Sequence, residues 1–345
     1  MKASVVITGV SVLHSSVVGG RAALADALWD PGEPAHRHVG ALPDGLIDEI
    51  EARRLSRVCQ LAVAAGRLAV ADAGLERGAE LGLILGTEFG DFSSTRAFAD
   101  GFLTTGPAGL SALLFPNTVM NTMAAATTIA LAARALSLTL NARTVAGELA
   151  VARAATAIAG GRARALIAGG VDHVDSLVAG TLPVLDEPAV DGEGATFLVL
   201  ESGEEARRRG ARVLGEIVGV ASRALPARPH GVGRAAAARA IPAALEAAGL
   251  RPNAIAWVYD SASGDSARDA WQARLLDGAL APGAPPRASL RPRLGAHAGV
   301  GALGVAAGVW TMGAGRLAGG GAVRLGPGLV HGVARGGTEV ALVIR

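Results

Sequence analysis

The chain is short of several residue types, and each shortage closes a class of function. Cys59 is the only cysteine in 345 residues, so an internal disulfide and a thiolate metal site are both excluded. Lys2 is the only lysine, aromatic residues make up 3%, and the formal net charge is +2 with the basic residues scattered. Nothing in that pattern favours nucleic acid, which asks for clustered basic residues with stacking rings. Mean hydropathy is high at +0.39. Even so, no apolar run reaches about 18 residues without Arg, Asp or repeated Gly, so no membrane span is expected. The opening MKASVVITGV reads as a strand without a small-residue cleavage site, and it predicts no signal peptide. Together these features predict a cytoplasmic protein. Arginine in place of lysine, with heavy Ala and Gly, fits a GC-rich coding sequence better than a function. The length suits two domains or one double-sized one.

What is present is organised around Leu138 to Asp172. Leu138 to Asn141 alternates as a strand does. Val145 to Ala159 is apolar or small almost all round, the pattern of a buried helix. Gly160-Gly161 ends it, and Arg164 to Ala168 is a second strand closed by Gly169-Gly170. Thr144 then stands at the N-terminus of a buried helix, where converging N–H groups seat a nucleophile or an oxyanion. A threonine there is a weak nucleophile unless a base activates it.

Around this centre the chain reads as alternating strands and helices. Strands are expected at 4–9, 81–85, 195–201 and 254–259, and helices at 56–73, 91–102, 121–133, 204–209 and 234–248, with a kink at Pro242. Residues 31–46 and 182–194 read as loops. The second half repeats the first. The helix-ending glycines 74 and 249 differ by 249 − 74 = 175, and the turn glycines 90 and 264 by 264 − 90 = 174. Gly147, Leu149, Gly161 and Arg162 recur as Gly301, Leu303, Gly315 and Arg316, each 154 residues later. The expectation is an α/β fold of two duplicated βαβαβαββ halves, residues 1–205 and 206–345, around a shared core.

Ten segments in order carry a specific resemblance: SVVITGVSVL, SRVCQLAVAAGRLAVADAGL, LGLILGTEFGDF, LLFPNTVMNT, SLTLNARTVAGELA, ARALIAGGVD, GEGATFLVLE, RVLGEIVGVAS, LGAHAGVGALG and ARGGTEVALVIR. The whole chain resembles a β-ketoacyl synthase of the thiolase fold, with a layered αβαβα core. That resemblance implies an acyl-carrying cysteine and two histidines for decarboxylation and oxyanion stabilisation. The cysteine position is Thr144, the first histidine position is Ser261, and the second is His297 or its neighbour. The family's phenylalanine gate is Arg335 here. Scaffold kept and chemistry lost most resembles a chain length factor of a type II polyketide system, with shorter loops that lean towards a polyene-type one. The resemblance then implies a heterodimer with an active ketosynthase subunit, an acyl carrier protein as donor, an acyl or polyketide chain in a shared tunnel, and no cofactor. Met120, Thr122 and Met123 are the candidate tunnel and interface residues, and small Ala124 to Ala126 leave room beyond them. Two other readings stand beside this one. In one, Thr144 and His297 run altered acyl transfer or decarboxylation. In the other, the fold is a scaffold without a tunnel.

Other polar residues take plainer readings. Cys59 is expected as a small buried hydrophobe. Glu148 suits the helix dipole and has Arg143 within reach. Asp172 and His173 read as loop residues after a strand. Asp260, Asp265 and Asp269 cluster without a metal-ligand pattern. His14, His36, His38, His230 and His331 read as loop residues.

Overall fold

Along the central strands, successive side chains enter two different apolar layers, and this decides the architecture. In the computed structural model, residues 3–15, 17–29, 38–173, 175–185, 192–228, 231–280 and 284–345 are described. His36, His230 and parts of both expected loops lie outside them. The first half holds β1 (Val5–His14), β2 (Val17–Gly20), α1 (Arg21–Trp29), α2 (Glu49–Ala52), α3 (Arg57–Asp72), β3 (Gly82–Thr87), α4 (Phe92–Thr105), α5 (Thr122–Leu131), β4 (Ser137–Asn141), α6 (Ala146–Ala159), β5 (Ala165–Asp172), α7 (Ser176–Thr181), β6 (Gly194–Ser202) and α8 (Gly203–Arg208). The second holds β7 (Gly215–Ala224), α9 (Ala240–Ala248), β8 (Trp257–Asp260), α10 (Ser266–Leu280), β9 (Arg287–Ser289), α11 (Arg291–Leu294), α12 (Ala298–Ala314), β10 (Gly328–Val333) and β11 (Thr338–Ile344).

The strands run in the order β4-β3-β5-β6-β1-β7-β11-β10-β8-β9, with β2 paired to β1. The order is mirrored about the β1–β7 junction, and the pairing senses repeat. β3 is parallel to β4 and β5, as β8 is to β9 and β10. β6 runs antiparallel to β5 and β1, as β11 does to β10 and β7. The duplication expected from the 154- and 174-residue offsets is therefore a duplication of topology.

On β5 and β6, Leu166, Ala168, Leu198 and Leu200 face a central core shared with α6 and α12, while Ile167, Phe197 and Val199 face an outer core with α3. On β11, Val340, Leu342 and Ile344 face the centre, and Ala341 and Val343 face a third core under α9 and α10. Period-two side chains buried on both faces give the αβαβα layering. α6 and α12 cross where both are smallest. A Cβ on Gly147 would strike the Ala298 carbonyl, and one on Gly301 would strike the Glu148 carboxylate.

Several expectations need correction. β5 does not stop at Ala168 but runs through the glycines to Asp172. Those glycines are demanded by close packing, since a Cβ on Gly169 would meet the Thr196 carbonyl and one on Gly170 the Ala298 carbonyl. His14 and His331 lie in β1 and β10 rather than in loops, and both are buried. α9 begins at Ala240, six residues later than expected, so Pro242 sits in its first turn. Its missing N–H is one the helix never uses, and no kink is needed.

Candidate functional site

The turn before α6 is a single 3-10 turn, Arg143–Val145, entered by Arg143 at φ 50°. A non-glycine residue in the left-handed region is strained, and such strain gathers where a side chain must be aimed. It sets half-buried Thr144 at the helix N-terminus, as expected. Buried Arg291 donates from Nη2 to the Thr144 carbonyl and, at 3.0 Å, to Glu148 Oε1. Glu148 therefore pairs with Arg291 rather than with Arg143. Its carboxylate turns into the crossing, where Gly301 and Gly332 leave space.

Ser261 follows β8 and is fully committed. Its Oγ donates to Gln272 Oε1 at 3.0 Å and accepts the Val333 N–H at 3.1 Å. Gln272 donates to the His331 carbonyl at 2.8 Å. His331 Nε2 contacts Glu339 Oε1 at 3.2 Å, and Glu339 Oε2 accepts the N–H groups of Arg239 and Ala240, each at 2.9 Å. This buried relay ties β8, β10, β11, α9 and α10 together.

His297 precedes α12 and is 2% exposed. Neither ring nitrogen has a hydrogen-bond partner, so the ring is not bonded to the Thr144 hydroxyl. It packs instead where a Cβ on Gly194 would strike both it and the Leu13 carbonyl. Burial, then His14 and Arg291, push its pKa down to about 3. Burial and Arg293 push that of His14 down to about 4. Both rings are neutral at pH 7.

Sequence reasoning missed Asp172. It is completely buried at the end of β5. Oδ1 accepts from the Thr87 hydroxyl at 2.6 Å and from the N–H groups of Glu88 (2.9 Å) and Phe89 (3.3 Å), and Oδ2 accepts the Ala298 N–H at 2.8 Å. Burial pushes this carboxyl up, and its four donors pull the other way. It clasps the β3–α4 turn to the start of α12. The signal for it was a strand pattern that two glycines conceal. Its neighbour His173 contacts Glu193 Oε2 at 2.5 Å, and Arg57 Nη2 meets Glu193 Oε1 at 2.6 Å. Burial alone would raise Glu193, but His173 and Arg57 hold its pKa near 2.

The three clustered aspartates after β8 bind protein groups. Asp260 takes the Ala262 N–H at 3.1 Å and the Ser289 hydroxyl. Asp269 takes the N–H groups of Ser263 (3.1 Å) and Gly264 (2.8 Å). Asp265 takes Arg335 Nε at 2.6 Å. Among the described residues no group of three His, Cys, Asp or Glu side chains is placed to hold a metal ion, and no helix is long and apolar enough to cross a membrane.

The tunnel candidates separate. Met123 is fully buried in the outer core, Met120 is 41% exposed, and Thr122 is buried with its Oγ donating to Asn117 Oδ1 at 3.2 Å. Thr122 lines a groove of about 1010 Å³ between α2 and α5, with Asn117, Val119, Ala125, Ala126 and Ile129. Cys59 is buried, its thiol pushed up by burial, and it lies 4.0 Å from Thr122 Oγ. Of the groove residues, Val119 and Ile129 are exposed, as are Leu113 and Phe115 in the segment before Pro116 and Leu138 on edge strand β4.

Residues 41–181 match the family model described as "Beta-ketoacyl synthase, N-terminal domain". The chain is 28% identical over 286 residues to the 3-oxoacyl-[acyl-carrier-protein] synthase 2 of Synechocystis sp., covering 73% of this chain and 68% of that protein. It is 42% identical over 120 residues to the tetracenomycin polyketide synthase ketoacyl synthase beta subunit of Streptomyces glaucescens, covering 34% of this chain and only 29% of that protein. Its structure superposes on the ishigamide ketosynthase/chain length factor with a TM-score of 0.85 at 21% identity, covering 100% of this chain and 99% of the other.

Proposed function

We propose that this chain, which has the thiolase-like fold of the β-ketoacyl synthases and carries their N-terminal domain at residues 41–181, is a non-condensing, chain-length-factor-like subunit. In this reading it pairs with an active β-ketoacyl-ACP synthase of a type II polyketide system and shapes the acyl tunnel, with an acyl carrier protein delivering the chains. One observation carries this reading. The seat at the helix N-terminus is intact, but among the described residues no base is hydrogen-bonded to the Thr144 hydroxyl. Thr144 has its carbonyl held by Arg291, Ser261 is bonded on both sides, and His297 turns towards Gly194. The 154-residue offset supports Ala298 as the counterpart of Thr144, since 144 + 154 = 298. The second histidine position is then an alanine, with His297 its neighbour.

The same observation weighs against altered acyl transfer by Thr144 and His297, because a hydroxyl without a bonded base is a poor nucleophile. The exposed apolar residues beside the groove favour a partner surface, and Ala125 and Ala126 on its wall leave room for a slim chain. We take the two halves to meet near residues 205–206, a division supported by the mirrored strand order, with α8 spanning it. The lone cysteine supports the cytoplasm as its compartment.

The test is co-expression with ketosynthase subunits encoded nearby, native mass of the purified complex, and a chain-extension assay. A one-to-one heterodimer that extends acyl chains only with both subunits, and makes shorter products when Ala126→Phe narrows the groove, is the expected result. A homodimer that turns over acyl thioesters alone overturns the reading, and a heterodimer whose products ignore the groove leaves only a scaffold.

A further inference from the structure

Three buried side chains with unpartnered nitrogens gather around the start of α12. Neither ring nitrogen of His297 is hydrogen-bonded, nor is Nδ1 of His14 or Nη1 of Arg291. The three residues are 2%, 4% and 2% exposed. Local packing brings them together. Ala195, at the start of β6, pairs with Leu13, the residue before His14. A Cβ on Gly194 would lie 2.9 Å from His297 Nε2 and 2.5 Å from the Leu13 carbonyl. A Cβ on Gly299 would lie 3.0 Å from His297 Nδ1 and 3.1 Å from the Ala195 Cα. These two glycines admit the ring against the start of β6, beside the end of β1. Arg291 arrives from α11, the short helix that leads into this turn. After burial, the strongest influences on the His297 ring are His14 and Arg291, and the strongest on the His14 ring is Arg293.

The carboxylates nearby are committed elsewhere. Glu193 is held by His173 Nδ1 and Arg57 Nη2. Asp172 serves four donors. Glu148 gives Oε1 to Arg291 Nη2, and its unpartnered Oε2 packs on Gly301. None of them reaches the orphan nitrogens. Buried polar atoms are rarely left without a partner, because each one that is carries its full desolvation cost. Several such atoms in one place point to a guest that the polypeptide does not supply. Water can fill a polar site of this kind, but it brings no charge. Arg291 is a permanent cation with half of its fork unused, and a guanidinium bonds most strongly to an anion. A neutral imidazole can donate one N–H to the same guest.

We propose that Arg291, His297 and His14 hold a small monovalent anion, a halide or a carboxylate of acetate size, beneath the start of α12. Gly194 and Gly299 leave no room for even a Cβ beside the ring, which limits the guest to a few atoms. The site belongs to the single chain, so it stands or falls independently of any partner subunit.

The test follows the melting temperature of the full-length chain as sodium gluconate is exchanged for sodium chloride, bromide or acetate at constant ionic strength. Gluconate is too large to enter, and screening stays fixed. The expected result is a saturable rise. Chloride and bromide acting without acetate assign a halide, acetate acting without them assigns a small carboxylate, and a response to all three assigns a site open to both. In His297→Leu and in His14→Leu, half-saturation is expected at a concentration higher by about tenfold or more, since one hydrogen bond to a charged group is lost. The two residues lie on different elements, so a variant that fails to fold leaves the other to decide. Arg345→Ala breaks an exposed pair with Glu216 and is expected to keep the wild-type value. Where bromide acts, crystals grown with it are expected to show its anomalous peak within hydrogen-bond reach of Arg291 Nη1 and the His297 ring. The proposal is overturned by no saturable rise with any of the three salts, by unchanged half-saturation in a folded histidine variant, or by equal weakening in Arg345→Ala. Bromide peaks on the surface alone, an adventitious ion only, overturn it as well.

Discussion

Replacing Asp172 tests the idea that one buried carboxylate holds the β3–α4 turn to the start of α12. In Asp172→Ala, the Thr87 hydroxyl and the Ala298 N–H lose their acceptor in a fully buried place, whereas Glu88 and Phe89 are only half-buried and regain water. Each buried orphan costs about 1–3 kcal/mol, so the loss is roughly 2–6 kcal/mol. In Asp172→Asn, the retained oxygen still serves Thr87, Glu88 and Phe89. The new amide then faces the Ala298 N–H donor to donor, and that single loss is about 1–3 kcal/mol. The uncharged amide also removes the burial penalty that pushes the Asp172 carboxyl up, which keeps the asparagine variant the milder one. Urea unfolding followed by circular dichroism gives the totals, and amide exchange at the start of α12 and in the β3–α4 turn gives the location. An alanine variant within about 0.5 kcal/mol of wild type, or an asparagine variant as damaged as the alanine one, would refute the clasp.

Three further outcomes follow from the same geometry. Gly147→Ala puts a methyl into the Ala298 carbonyl at the α6–α12 crossing, and the expected loss is at the top of the roughly 1–3 kcal/mol range for overpacking, read as a lower urea midpoint or an insoluble product. Met123→Trp is expected to destabilise the chain by a similar amount, because Met123 is completely buried. A Met123→Trp chain as stable as wild type would move that side chain out of the core and into the tunnel. The pH dependence has a definite sign. His297 and His14 have folded pKa values lowered to about 3 and about 4, so the unfolded chain binds protons that the native one does not. Their contribution is complete above pH ~6.5 and declines as pH falls towards those folded values, by about 1.4 kcal/mol per pH unit for each ring. Stability profiles of wild type and His297→Gln between pH 7 and 4 are expected to diverge, the variant having the shallower slope; parallel profiles would count against a neutral buried ring.

The sequence by itself carried the fold, because the fold follows from local and repeated signals. Alternation in β-strands, a helix of small residues, glycines at helix ends and matched offsets between the halves are all readable in one dimension. It also carried the seat of Thr144, since a strand, a turn and a buried helix define it. Partners were another matter. Glu148 lies five residues from Arg143 but pairs with Arg291, 143 positions away. Asp172, read as a loop residue, meets Ala298 across 126 positions, and His331 joins a relay of five elements. These contacts depend on which strands become neighbours and on where glycines let backbones approach. Met120, Thr122 and Met123 are almost consecutive, and only packing sent one to solvent, one to the groove and one to the core. Periodicity specifies the face a residue takes, and only the assembled layers specify what that face meets.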